Sequence, residues 1–101
     1  METRSFGEHI RAELQDPDFA LGYVRAAYSD GGVEELLHAV RDVAASREGG
    51  ISGVARASGR GRENLYRSLS RQGNPRVKTL ESVLGSLGLR LDIVRADIPR
   101  P

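Results

Sequence analysis

Between Val54 and Leu69 the chain reads VARASGRGRENLYRSL, and the spacing of three of these residues leaves few folds open. Ala55 is small, Gly59 follows four residues later, and the aliphatic Leu65 comes six residues after that. Two helices that cross closely need a small side chain on the first at the crossing point. The turn between them needs a residue that takes a left-handed backbone, which glycine does without steric cost. The second helix needs a branched apolar residue pointing back into the core. The spacing therefore predicts a helix-turn-helix over about residues 52–70, with Val54, Ala55, Gly59, Leu65 and Leu69 as its structural residues. Ser52 is expected to cap the first helix, with Ile51 stapling in front of it. The second helix is expected over Arg62 to Ser70.

The rest of the chain supplies flanking helices. Residues 1–15 have weak periodicity and read as an N-terminal arm or a frayed helix, leaving residues 16–101 as a single domain. Asp16, Pro17 and Asp18 make a good helix start, as cap, first-turn proline and dipole-favoured acid. Phe19, Tyr23, Ala26 and Ala27 fall on one face of that helix, and Gly31-Gly32 end it. A clearer amphipathic helix follows, with Val33, Leu36, Leu37, Val40, Val43 and Ala44 at helical spacing. Gly49-Gly50 stop it. After the RQGNP break, a helix over Arg76 to Leu87 puts Val77, Leu80, Val83, Leu84 and Leu87 on one side, with Gly88 as its stop. The alternating LRLDIV, about residues 89–94, predicts a half-buried strand. A lone strand cannot satisfy its own backbone, so its partner must come from a second subunit or another protein. The expected architecture is mainly α: five helices and one short C-terminal β-strand.

With 101 residues, 39% of them hydrophobic and 29% charged, the composition is that of an ordinary soluble single domain. There is no Cys, which excludes disulfides, thiolate metal sites and cysteine nucleophiles. No apolar run approaches the roughly 18 residues that a membrane span needs. The acidic N-terminus is unlike a signal peptide, so a cytoplasmic location is expected. The net charge of +1 conceals a strong asymmetry. Residues 1–48 hold five Arg against ten acids, and residues 49–101 hold ten Lys or Arg against four. Within residues 54–78, Glu63 is the one acid among seven basic residues. A face for a polyanion on one half and a different partner for the other fits this division.

On the second helix of the motif, Arg62, Glu63, Asn64 and Arg67 are left outside the apolar face, near the end that enters the major groove in this class of protein. Arg62 and Arg67 can each donate two hydrogen bonds to guanine, and Asn64 can pair with adenine in the same two-bond manner. Ser52, Arg56, Arg60, Arg71, Arg76 and Lys78 lie at helix edges and in the following loop, where phosphates are the expected partners. Tyr66 either touches a phosphate or packs against Val77 and Leu80, and packing is favoured. Other motifs fail. GRGREN lacks the third glycine of a dinucleotide fingerprint and no strand precedes it, and no Gly-Lys-Ser/Thr is present. His9 and His38 have no neighbouring ligands, and no activated nucleophile is evident. No catalytic, metal or cofactor site is expected.

The segment GISGVARASGRGRENLYRSLSRQGNPRVKTLESVLGSLGLRL resembles the bacterial addiction-module antidote (antitoxin) family, within the lambda-repressor-like helix-turn-helix class. The resemblance rests on VAR…SG, RENLYRSLS, the GNP break, TLESVLGSLGL and the closing strand, and extends upstream over about residues 16–94. It implies an antitoxin that neutralises a small RelE-like ribonuclease toxin, and that represses its own operon by binding operator DNA as a homodimer on the bacterial nucleoid. Two departures stand out: Gly61 replaces the family's usual capping serine, and Arg60 an apolar residue. Asn64 stands where a small alanine is common. The expected function is that of a sequence-specific transcriptional regulator and antitoxin. The alternative is a protein-interaction module that uses the helix-turn-helix only as a scaffold.

Overall fold

The computed structural model describes residues 6–70 and 72–97. Among these, five helices follow one another: α1 (Phe6–Glu13), α2 (Pro17–Ser46), α3 (Gly50–Ser58), α4 (Arg62–Ser68) and α5 (Val77–Ser86). The mainly α architecture agrees with the sequence. The described part of the stretch read as an arm or a frayed helix is helical, and Leu14 after it is buried with Ile10 packed against the core. No strand forms among the described residues. Residues 89–95 run without regular structure because an extended segment has no ladder partner within one chain.

Local chemistry explains the helix ends. Asp16 caps α2 by accepting a 3.0 Å hydrogen bond from the Asp18 amide, and Pro17 occupies the first turn. At the end of α3, Gly59 adopts φ 75°, ψ 24°, and the Arg60 amide donates back to the Ala55 carbonyl at 2.8 Å. The end of α5 repeats this arrangement, with Leu89 donating to the Leu84 carbonyl at 2.8 Å. Both are left-handed caps that satisfy carbonyls the helix leaves open. Ser52 does not cap α3. The helix starts two residues before it, with Gly49 in the cap position and no side-chain bond there.

The break expected at Gly31-Gly32 is a kink within α2, at Gly32, whose φ of 73° and ψ of −155° suit glycine alone. The halves of α2 fold toward each other so that the Tyr23 hydroxyl donates to Asp42 Oδ2 at 2.5 Å. Burial first, and then this bond to the carboxylate, push the Tyr23 pKa up to about 12. The inner face of the first half is one residue off the expected one. Ala20 and Val24 are buried, Tyr23 and Ala27 only partly, and Phe19 and Ala26 are exposed. In the second half Leu37, Val40, Val43 and Ala44 are buried as the periodicity predicts, whereas Val33 is exposed.

The core is one cluster drawn from every region: Leu14, Val24, Leu37, Val40, Val43, Val54, Leu65, Leu69, Val83, Leu84 and Leu87 are among its members. The short α3 is its hub, in contact with α2, α4 and α5. Further fastening comes from the Arg47 side chain, which donates to the Leu87 carbonyl at 3.3 Å, and from Gln15, which donates to the Ser46 carbonyl at 3.0 Å.

The kink predicts a contrast between two glycines of the same helix. Gly32→Ala forces a side chain into a backbone region it avoids and is expected to cost about 1–3 kcal/mol. Gly22→Ala meets nothing within 4 Å and is expected to stabilise by roughly 0.5–1 kcal/mol. Denaturant midpoints check both. The Tyr23 pKa predicts a second effect. The hydroxyl keeps its proton in the folded chain after the unfolded chain loses it, so stability is lost as pH rises from 10 towards about 12. A Tyr23→Phe variant is expected to lack that alkaline loss in chemical denaturation at stepped pH.

Candidate nucleic-acid interface

The candidate surface is built around α4. Leu65 and Leu69 lie on its inner side, exposed by 1% and 0%, and Val54 and Ala55 of α3 are buried in the same cluster. Fully burying a leucine side chain is worth roughly 1.5–3 kcal/mol, so these two residues fix which way α4 faces. The remaining positions point outward: Arg62, Glu63, Asn64 and Arg67 are all exposed. Arg67 and Asn64 are not independent, since an Arg67 Nη atom donates to Asn64 Oδ1 at 2.7 Å. This contact between two residues three positions apart holds the guanidinium along the helix and leaves the Asn64 amide nitrogen to donate outward.

A shallow polar cleft separates α4 from the start of α5, with Arg60, Asn64, Ser68, Asn74, Arg76 and Thr79 on its walls. Arg60 and Arg76 are exposed at this cleft, and Lys78 is exposed on the first turn of α5. Arg56 is exposed on α3. Ser52 is half-buried inside α3 rather than at its tip, so its hydroxyl is less available than the sequence suggests. Arg71 lies outside the described residues. Of the expected residues, the structure brings Arg60, Asn64 and Arg76 together around this cleft, while an Arg56 Nη atom lies near Gly49 at the start of α3.

Tyr66 shows what sequence reasoning missed. It remains 45% exposed, and its contact is with the Arg41 guanidinium, 4.0 Å from the ring centroid. Val77, expected beneath it, is 73% exposed. A cation over a ring at an exposed site contributes about 0.5–1 kcal/mol, so Arg41 braces the back of α4 from α2. No local spacing signals a contact between residues so far apart in the chain. Elsewhere, His38 Nε2 sits 3.7 Å from Asp42 Oδ2 one turn along α2. Among the described residues no group of three or more His, Cys, Asp or Glu side chains comes together as a metal site. No helix there is long and apolar enough to cross a membrane.

A family described as "Probable addiction module antidote protein" matches residues 4–95. The chain belongs to this antidote family. It is also 34% identical over 71 residues to an uncharacterized protein of Haemophilus influenzae, covering 70% of this chain and 71% of that relative. No solved structure matches at a significant level. Within the antidote family's span lie all five helices and the basic surface, so the residues described above are part of the shared domain.

The unfilled cap of α4 gives a direct test of the local geometry. Gly61 sits at the cap with φ −73° and ψ 142°, makes no side-chain cap bond, and has open space where a Cβ would stand. A serine fits that backbone and can accept from an amide of the first turn. Gly61→Ser is expected to stabilise the domain by several tenths of a kcal/mol to about 1 kcal/mol, combining the cap with a less flexible unfolded chain. A rise in Tm in calorimetry checks it; a fall contradicts the assigned cap.

Proposed function

We propose that this antidote is a sequence-specific DNA-binding regulator of the lambda-repressor-like helix-turn-helix class, which represses its own operon and neutralises a small RelE-like toxin. The observation that carries the DNA reading is the outward face of α4. Four hydrogen-bonding side chains, Arg62, Glu63, Asn64 and Arg67, stand exposed on a seven-residue helix whose other side is locked into the core. In this reading α3 crosses the DNA backbone and α4 enters the major groove, where Arg62, Arg67 and Asn64 meet base edges. Arg56, Arg60, Arg76 and Lys78 flank that helix, and we assign them to phosphates, which set position and not sequence.

The acidic N-terminal half suits a different partner. Residues 1–48 carry a net charge of −5, and a basic toxin would meet complementary charge there. Binding by a second subunit doubles the DNA contact and gives the operator two related half-sites. The alternative, an interaction module without specific DNA binding, lacks an account of why the exposed arginines gather around α4. In both readings the chain acts by binding rather than by catalysis.

Fluorescence anisotropy with the operon's own upstream DNA, run as a salt series, tests the proposal. Arg67→Ala is expected to lose roughly 1–3 kcal/mol of preference for operator over random duplex. Arg76→Ala is expected to weaken both duplexes alike and to reduce the slope of log affinity against log salt by about one. Equal, salt-insensitive behaviour of all three proteins, or no binding at low salt, contradicts it.

A further inference from the structure

Arg67 sits on α4 opposite Leu65 and Leu69, because the helical turn sets it half-way round from that buried pair. It therefore occupies the middle of the outward face. Its guanidinium does not project freely. An Nη atom donates to Asn64 Oδ1 at 2.7 Å, although both residues are exposed. Asn64 also forms part of the wall of the cleft between α4 and α5, with Arg60 and Arg76. The bond thus ties the Arg67 guanidinium to the cleft side of α4.

The chemistry of this pair decides which base it fits. A free asparagine reads adenine with two bonds, its Oδ1 accepting from N6 and its amide donating to N7. Here Oδ1 already accepts from a cation, so an adenine N6 amino group brought to it meets the guanidinium donors as well. What the pair presents outward is donors: the remaining guanidinium N–H groups and the Asn64 amide nitrogen. Guanine offers two acceptors in the major groove, O6 and N7.

We propose that Asn64 is a positioning residue for Arg67 rather than a reader of adenine, and that the two together select guanine. This rests on the reading of α4 as the helix that contacts DNA, and names the base chemistry it selects. The bond restrains a long side chain before DNA arrives. Immobilising such a side chain on binding otherwise costs roughly two- to tenfold in affinity. In the groove, where water is displaced, the bond strengthens because the local dielectric falls.

Duplexes carrying each single base-pair replacement across the operon's upstream DNA, titrated by fluorescence anisotropy, test this. The unmodified chain is expected to prefer guanine over adenine roughly tenfold or more at the base pair where Arg67→Ala removes discrimination. Asn64→Ala is expected to lower that preference roughly two- to tenfold at the same base pair. Asn64→Asp keeps an oxygen where Oδ1 stands and loses the amide donor. It is expected to keep the guanine preference, while its added negative charge weakens every duplex alike. The double variant Asn64→Ala, Arg67→Ala is expected to match Arg67→Ala at that base pair. Nitrogen relaxation of the Arg67 guanidinium in the free protein needs no DNA: its mobility is expected to rise in Asn64→Ala and not in Asn64→Asp. An adenine preference lost in Asn64→Ala, with the Arg67 base pair untouched, overturns the proposal and leaves the DNA reading standing. So does a guanine preference lost equally in Asn64→Asp and Asn64→Ala, or an Arg67 mobility unchanged in Asn64→Ala. Absence of binding to every duplex at low salt ends the DNA reading, and the base selection with it.

Discussion

Leu65 and Leu69 hold α4 against a core whose hub is α3, and the orientation of every exposed residue on α4 follows from that contact. A seven-residue helix is too short to be stable in water by its own hydrogen bonds. It persists because its apolar side is buried and because the Gly59 turn delivers it to α3 at a short crossing, beside Val54 and Ala55. Arg41 stacked on Tyr66 braces the other flank. With the inner side fixed, Arg62, Glu63, Asn64 and Arg67 have one direction left to face.

The molecule separates its charges along the same lines. The acidic residues lie mostly on α1 and α2, and the basic ones on α3, α4, the loop and α5. The fold brings these halves together through the shared apolar core, with the Arg47 bond to the Leu87 carbonyl and the Arg41–Tyr66 stack beside it. In the function proposed here, that separation of charge would let one domain offer DNA and a toxin faces of different charge.

Much of this was legible in the sequence because the deciding features are local. Asp16, Pro17 and Asp18 start α2 through chemistry confined to a few residues, and Gly59 and Gly88 end helices by backbone geometry that few other residues tolerate. The apolar pair Leu65 and Leu69 likewise determined which side of α4 faces out. What escaped the sequence depends on tertiary contact. Phe19 is more apolar than Ala20, yet Ala20 is the buried residue of the two, because packing against the rest of the chain sets which face of the helix turns inward. Ser52 has the chemistry of a cap, but the turn at Gly49 starts the helix earlier. Arg41 and Tyr66 meet only once α2 and α4 are packed. The alternation of residues 89–94 specifies a strand face without supplying a second strand, so the segment takes no regular structure within the described residues.

The central claim is that the outer face of α4 and the loop after it contact DNA, and amide chemical-shift mapping of the full-length protein tests it most directly. On titration with the operon's upstream duplex, the largest shifts are predicted for residues 60–68 and 73–78, with the first half of α2 unaffected. Shifts concentrated on α2, or no shifts at low salt, contradict the account.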